Sequence, residues 1–242
     1  FSTICATEQA VVADRPIAAR LAQLMEAEGA YFVDEGQAEA LRDILFHPNG
    51  GINANTTAKS AQYLAVMAGF EIPNNVRILV ARVNKVGRDE PLSREKLTPV
   101  IAWYDVDGWE DGCERCLELI SFGGRGHSLM IHAKDEDVIM AFGLEKPVFR
   151  IGVNTMGTLG AIGLTTSVMP SLTLGSGGIG GAITGDNVTV HHLYNVKRIA
   201  YETSAPPEEA LRPGASSGDV NSDPQMLAKL VEEIVREVLK SQ

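Results

Sequence analysis

The sequence predicts an α/β layer fold with a separate C-terminal appendage, and three observations support this prediction. Apolar residues at helical spacing alternate with short β-branched runs along most of the chain. The 242 residues are 45% hydrophobic, which is enough to bury a sizeable core. The pattern then stops near residue 205, where Pro, Gly, Ser, Glu and Asp dominate without any apolar period.

The helices come first along the chain. Apolar residues recur at helical spacing within 18–28 and again within 41–45. A third helix is predicted over 58–69 and ends at Gly69.

The strands are predicted from short β-branched runs bounded by Gly, Pro or charged residues. These runs lie at 76–83, 100–104, 128–132 and 148–153. Because helices alternate with buried strands, we expect an α/β layer fold.

The C-terminal part divides into a linker and a helix. Residues 205–223 are predicted to be a flexible linker, because their composition cannot bury enough apolar surface to offset chain entropy. Residues 224–242 are predicted to form an amphipathic helix, which Asp223 caps and Pro224 begins. Its apolar stripe needs a partner: its own oligomer, another protein or a membrane. A membrane is the least favoured, because the polar face mixes acids with bases and no Trp or Phe anchor is present.

Charge and cysteine content exclude several classes of partner. The formal net charge of −10 argues against nucleic acid, whose binding proteins concentrate Lys and Arg. Three cysteines and no apolar run near the roughly 20 residues of a membrane span indicate a soluble protein of a reducing compartment, so we expect a cytoplasmic location. The chain opens on Phe1 without a signal-peptide pattern, so we expect it to be the downstream part of a longer protein.

Cys5 is the first candidate for chemistry. It lies between Ile4 and Ala6 and precedes the apolar run 10–12. A cysteine with such neighbours is either a small buried hydrophobe or a nucleophile, and spacing alone does not decide between them.

Two other motifs carry less weight. Cys113 and Cys116 have C-x-x-C spacing, but one pair cannot complete a tetrahedral zinc site and the apolar neighbours predict a helix, so we expect neither a metal site nor a redox role. Gly175, Gly177 and Gly180 spell G-x-G-x-x-G after a strand-like run. No helical period follows these glycines, which argues against a dinucleotide-binding loop.

The segment Cys5-Ala6-Thr7-Glu8-Gln9 resembles the nucleophile segment of CoA-acylating aldehyde dehydrogenases, including the aldehyde half of bifunctional aldehyde/alcohol dehydrogenases. The resemblance continues in order to about residue 203, through segments at 52–55, 59–61, 68–73, 95–100, 124–128, 150–155 and 170–175. It implies an aldehyde dehydrogenase-like catalytic domain of three α/β/α layers over 1–204. It also implies an NAD-binding domain upstream, outside this chain.

The resemblance assigns roles to three residues and one loop. Cys5 would attack the aldehyde and hold the acyl group as a thioester for transfer to CoA. Glu95, in Glu-Lys-Leu-Thr-Pro, resembles the ribose-binding glutamate of the Glu-x-Phe-Gly-Pro motif; unaided, it reads equally as a loop charge. His127 would assist deprotonation of the CoA thiol, with a structural role as the alternative. A glycine-rich loop near the active site, where missing side chains permit close backbone approach, would contain Gly175, Gly177 and Gly178.

The implied function is oxidation of a short aldehyde, propionaldehyde or acetaldehyde, with NAD as cofactor, CoA as acyl acceptor and no metal. A homo-oligomer is expected. The helix at 224–240 behind its linker also resembles the encapsulation peptides of bacterial microcompartment enzymes, which implies a shell protein as partner and a location inside such a compartment. A non-catalytic scaffold of the same fold and a hydrolytic aldehyde dehydrogenase stay open as alternatives.

Overall fold

The computed structural model describes residues 3–206, and contacts between Cα atoms divide the chain into two units, Phe1–Tyr194 and Asn195–Gln242. All helices and strands discussed below lie in the first unit. The predicted helix at 224–242 and nearly all of the predicted linker lie outside the described residues. No helix within 3–206 has both the length and the apolar character needed to cross a membrane.

The core of the first unit is a four-stranded parallel sheet in the order β1-β4-β3-β2. Its strands are β1 (Ala10–Asp14), β2 (Ala30–Val33), β3 (Ile78–Arg82) and β4 (Val100–Val106). Helices cover both faces of a parallel sheet, so its central strands are almost continuously apolar. The strands predicted at 76–83 and 100–104 are therefore β3 and β4.

Six α-helices accompany the strands within residues 3–206. They are α1 (Arg15–Ala27), α2 (Glu35–Leu45), α3 (Ala61–Met67), α4 (Trp109–Phe122), α5 (Glu136–Glu145) and α6 (Gly157–Ala161). The first three correspond to the three predicted helices. The third helix begins later than predicted, because Ala58 has a left-handed φ of 60° that a right-handed helix cannot contain. Ser60 caps this helix, since its side chain accepts a hydrogen bond from the amide of Tyr63.

Alternate residues of the sheet face opposite layers, as the two-residue period of a strand requires. On one face, α1 packs against Val80 and Trp103. On the other face, α2 and α3 pack against Leu79, Ala81 and Tyr104. The predicted α/β/α arrangement in three layers is thus confirmed.

A second, two-stranded parallel sheet follows α4. It consists of β5 (Gly126–Ile131) and β6 (Val148–Val153), which match the strands predicted at 128–132 and 148–153. A small apolar cluster joins this sheet to α4 and α5 through Ile131, Cys113 and Phe142.

Candidate active site

The segments that contain Cys5 and Glu95 lie at the same edge of the main sheet. Cys5 precedes β1 and Glu95 precedes β4, and these two strands are parallel neighbours with Ala10 opposite Ala102. Because the amino ends of parallel neighbours meet at one edge, the fold brings the two candidate segments together.

Direct hydrogen bonds join these two segments through Lys96. Its backbone amide donates to Oε1 of Gln9 over 2.9 Å, and its Nζ donates to the Gln9 carbonyl over 3.0 Å. Nζ also donates to the carbonyls of Leu92 and Arg94, over 2.7 and 2.8 Å. Lys96 thus anchors the end of the Cys5 segment from inside the protein.

The environment of Lys96 opposes its charge. The residue is 1% exposed. Burial lowers the pKa of Lys96 to about 7, and the charges of Glu90 and Glu95 counteract part of this effect. Three carbonyl acceptors match the three N–H bonds of an ammonium group, so they satisfy the protonated form completely.

The Cys5 segment is fixed around an exposed thiol. Cys5 lies in a turn and is exposed, so within the described residues it is not the small buried hydrophobe of the alternative interpretation. Oγ1 of Thr7 lies 3.0 Å from Oγ1 of Thr158, and Oε1 of Glu8 accepts from the Gly157 amide over 2.6 Å. The structure therefore holds the neighbours of the sulfur against α6 and leaves the sulfur accessible.

His127 lies at the start of β5 and is half-buried. Burial lowers its pKa, the positive charge of Arg150 lowers it further, and the negative charge of Glu95 opposes both. Arg150 lies on β6 opposite Ser128, and its Nε donates to Ser128 Oγ over 3.2 Å. His127 is therefore the sequence neighbour of a residue that hydrogen-bonds a buried arginine.

The glycine-rich segment folds back on itself as a loop. The amides of Gly175 and Gly177 donate to the carbonyls of Asp186 and Thr184, each over 2.8 Å. Gly177 has a φ of 57°, and a side chain at this position would overlap the ring of Phe149. The missing side chain at Gly177 therefore lets the ring of Phe149 pack against the backbone of the loop.

A 3-10 turn over Gly178–Gly180 takes the place of the helix that a dinucleotide-binding loop needs. A side chain on Gly126 would overlap the carbonyl of Ser176. The glycine-rich loop therefore packs directly against the strand that contains His127.

The C-x-x-C pair lies on α4, as its apolar neighbours predict. Sγ of Cys113 contacts Nζ of the buried Lys146 and lies 3.3 Å from Oε2 of Glu145. Burial raises the pKa of Cys116 to about 11, which makes it a poor nucleophile near neutral pH. Within 3–206 no group of three or more His, Cys, Asp or Glu side chains is arranged to hold a metal ion.

A groove of about 1220 Å³ lies beside α2 and the connection between β3 and β4. Its lining mixes both signs of charge, including Arg42, Arg88, Glu35 and Glu90. None of the predicted site residues lines it, so it is separate from the candidate site.

Lys96 and Arg150 were not predicted as site residues. A lysine in a polar loop normally extends into solvent, so no signal in the sequence indicates the burial of Lys96. Arg150 had a weak signal, since an arginine in an otherwise apolar buried strand needs partners for its charge.

Sequence comparison finds relatives among aldehyde-alcohol dehydrogenases and among acylating aldehyde dehydrogenases. Aldehyde-alcohol dehydrogenase 2 of Entamoeba histolytica is 36% identical over 206 residues, which cover 81% of this chain and 24% of that protein. Succinate-semialdehyde dehydrogenase (acetylating) of Clostridium kluyveri is 31% identical over 199 residues, which cover 82% of this chain and 44% of that protein. No protein-family model matches the chain.

Solved structures of aldehyde dehydrogenases are also similar to this chain. An acetylating aldehyde dehydrogenase of Geobacillus thermoglucosidasius is 45% identical with a TM-score of 0.82, over 86% of this chain and 46% of that one. A propionaldehyde dehydrogenase from the fucose utilisation microcompartment of Clostridium phytofermentans is 27% identical with a TM-score of 0.66, over 75% and 40% of the two chains.

The fold is therefore that of the aldehyde dehydrogenases. Two of these relatives are named as acetylating aldehyde dehydrogenases, and the resemblance predicted from the sequence segments is confirmed. The chain spans less than half the length of these relatives, between 24% and 46%.

Proposed function

We propose that the protein carrying this chain is a CoA-acylating aldehyde dehydrogenase, which oxidises a short aldehyde, acetaldehyde or propionaldehyde, to its acyl-CoA with NAD. The observation that carries this proposal is the exposed thiol of Cys5. Hydrogen bonds from Lys96 hold the Cys5 segment against the loop that contains Glu95. An accessible thiol, on a segment anchored to a loop that presents an exposed carboxylate, suits this chemistry.

Cys5 performs the covalent steps. Its sulfur adds to the aldehyde carbonyl carbon while the carbonyl oxygen takes a proton, which gives a thiohemiacetal. Loss of hydride from that carbon and of the hydroxyl proton to solvent then leaves a thioester. Bound NAD supplies the hydride acceptor. A sulfur nucleophile suits the sequence of steps, because the thioester then exchanges readily with a second thiol.

His127 serves the transfer to CoA. Its lowered pKa keeps the imidazole neutral near pH 7, so it can accept the proton of the CoA thiol. The CoA sulfur then bonds to the carbonyl carbon, and the bond from that carbon to Cys5 breaks. Cys5 leaves as a thiolate and is ready for another aldehyde.

Glu95 fits the role of holding the nicotinamide ribose. It is exposed, and its neighbour Lys96 is fixed by four hydrogen bonds. A carboxylate presented on such a fixed loop can accept from two adjacent ribose hydroxyls. In this proposal the glycine-rich loop at Gly175, Gly177 and Gly178 also borders the active site, and its packing against the strand of His127 supports that role.

Assembly and location belong to the same proposal. We expect a homo-oligomer in the cytoplasm, packaged through residues 224–240 into a microcompartment shell. The microcompartment origin of the Clostridium phytofermentans relative supports this expectation. Residues 224–240 lie outside the described part of the chain.

The test is replacement of Cys5 by alanine in the protein that carries this chain. NADH formation is measured with a panel of short aldehydes, with and without CoA. We expect Cys5→Ala to lose CoA-dependent NADH formation and Cys116→Ala, a matched cysteine on α4, to retain it. Full activity of Cys5→Ala would contradict the mechanism, CoA-independent turnover would indicate the hydrolytic alternative, and an inert wild-type protein would favour the scaffold.

A further inference from the structure

Lys146 is a buried amine whose hydrogen-bond acceptor is a sulfur atom. Its side chain is fully buried at the end of α5, and its Nζ donates to Sγ of Cys113 on α4. Within residues 3–206 no other acceptor lies within hydrogen-bond distance of this nitrogen. Lys96, which is also buried, has three carbonyl acceptors around its Nζ. Lys146 is therefore paired with a cysteine where backbone carbonyls serve the other lysine.

Two further side chains surround this contact between nitrogen and sulfur. Oε2 of Glu145 accepts from Sγ of Cys113 over 3.3 Å and lies 3.8 Å from Nζ of Lys146. The ring centroid of Phe142 lies 4.5 Å from the same Nζ. Cys113 is 6% exposed, so bulky reagents are excluded from the contact. A small apolar molecule such as dioxygen is not excluded in this way.

Cys116 is the alternative partner for an oxidised Cys113. It lies on the same helix and packs against the same apolar cluster. Burial raises the pKa of Cys116 to about 11, so near neutral pH it is almost entirely a thiol and a slow nucleophile. The amine of Lys146 already contacts the Cys113 sulfur. The C-x-x-C spacing indicates no redox role for Cys113, whereas the contact with Lys146 supplies one.

We propose that Cys113 and Lys146 form an oxidative modification site, at which dioxygen links Sγ to Nζ through a single oxygen atom. The S–H bond and one N–H bond break, and an S–O bond and an O–N bond form. One oxygen atom of dioxygen stays in the bridge, and the other leaves as water with the two hydrogens. Sulfur and nitrogen give up two electrons each, and dioxygen takes up all four. Glu145, next to the sulfur, carries the thiol proton towards that water.

The bridge connects parts of the fold that are distant in the sequence. Cys113 and Lys146 are 33 positions apart, and the chain between them contains β5 and α5. Pro147, the residue after Lys146, accepts from the amide of Gly126 at the start of β5 over 2.7 Å. The bridge therefore fixes α4 to the small sheet. A closed loop of this kind stabilises a folded protein mainly because it restricts the unfolded chain.

The first experiment compares the complete protein kept without oxygen and the same protein held in oxygenated buffer, by mass spectrometry after digestion. Trypsin places the three side chains on separate peptides: Cys113 on 97–115, Cys116 on 116–125 and Lys146 on 135–150. We expect oxygenated protein to yield 97–115 joined to 135–150, about 14 Da above the sum of their masses, because one oxygen is gained and two hydrogens are lost. Dioxygen of the heavy isotope should add about 2 Da more.

Substitutions then test each member of the cluster. Cys113→Ser and Lys146→Met each remove one end of the bridge, so neither variant should give the joined peptide. Cys116→Ala is the matched control and should give as much of it as the wild type. Glu145→Gln retains the shape of the side chain but cannot take up the thiol proton, so the bridge should form about tenfold more slowly or worse. The comparison in the wild type decides the proposal even where a variant does not fold.

The second measurement is thermal unfolding of the protein with and without exposure to oxygen. We expect the bridge to raise the melting temperature by about 5–10 °C, because it closes a loop of the unfolded chain. Dithiothreitol should reverse the rise. The rise should be absent from Cys113→Ser, in which oxidation at Cys5 is still possible.

The proposal is overturned if oxygenated wild-type protein gives the peptides 97–115 and 135–150 only separately. It is also overturned if 97–115 is joined instead to 116–125, about 2 Da below the sum of their masses, which would be a disulfide. A joined peptide that gains no mass from the heavy isotope would exclude dioxygen as the source of the bridge and overturn it as well. None of these measurements needs an aldehyde, NAD or CoA, so they are independent of the proposed function.

Discussion

Replacing Lys96 by methionine removes the group that ties the Cys5 segment to the loop before β4. Methionine fills a similar volume but donates no hydrogen bond. The carbonyls of Leu92 and Arg94 lose the donor Nζ, and the Gln9 carbonyl keeps only the amide of Ala102. We expect both the free energy of unfolding and the rate of turnover to fall.

The magnitude follows from two carbonyls that lose their donor inside the protein. Each such group costs about 1–3 kcal/mol, and the variant regains part of this because it no longer buries an amino group. The expected net loss is about 2–4 kcal/mol in the free energy of unfolding. For a domain of this size that corresponds to a fall of about 5–15 °C in melting temperature.

The dependence on pH gives this prediction a second component. The pKa of Lys96 is lowered from 10.5 to about 7 in the folded protein, so the unfolded chain binds more protons between these values. The unfolding free energy of the wild type, relative to Lys96→Met, should therefore rise with pH in that window, by about 1.4 kcal/mol per pH unit at most.

The assay is denaturation by urea at pH 7 and pH 9, with the exposed Lys134 replaced by methionine as a matched control. We expect Lys134→Met to unfold within about 0.5 kcal/mol of the wild type. A Lys96→Met protein as stable as the wild type would refute the anchoring role. A stability difference that is the same at both pH values would refute the lowered pKa.

Three further predictions concern other parts of the chain. Glu95→Ala should raise the Michaelis constant for NAD and slow hydride transfer, and a change confined to CoA saturation would contradict its ribose-binding role. Cys113→Ala should cost about 1–3 kcal/mol of stability in thermal unfolding, because Nζ of the buried Lys146 loses its sulfur partner; an unchanged melting temperature would show that this contact contributes nothing. Removing the residues after Ala205 should leave turnover unchanged and abolish co-localisation with a shell. Ile234→Glu should have the same two effects. A truncated protein that loses both its oligomeric state and its activity would contradict the packaging role.

The part of the fold that could be predicted from the sequence is the part with a clear apolar period. The strands β3 and β4 are buried on both faces, so they stand out as β-branched runs. In contrast, α5 (Glu136–Glu145) was not predicted, because apolar residues occur on most of its faces and give no clear helical stripe. The strands β1 and β2 were not predicted either.

The candidate site also has a part that the sequence predicted and a part that it did not. Cys5, Glu95 and His127 were found through resemblance to known segments, because their local composition left a structural interpretation open. The proximity of the Cys5 and Glu95 segments depends on the strand order, which places β1 beside β4 and which no local pattern specifies. Lys96 and Arg150 are distinguished by their burial, which is a property of the assembled tertiary structure.

The pairing of β1 with β4 also determines when the thiol segment becomes ordered as the chain folds. Gln9 and Lys96, which hydrogen-bond across this pair, are 87 positions apart in the sequence. Closing so long a loop is slow, because its entropy is lost before the contact forms. A refolding chain therefore has Cys5 on an unanchored segment until β4 has docked, and oxidation of this thiol competes with folding. A reducing agent present from the start of refolding should increase the yield of active protein, whereas the same agent added afterwards should recover only the reversibly oxidised part.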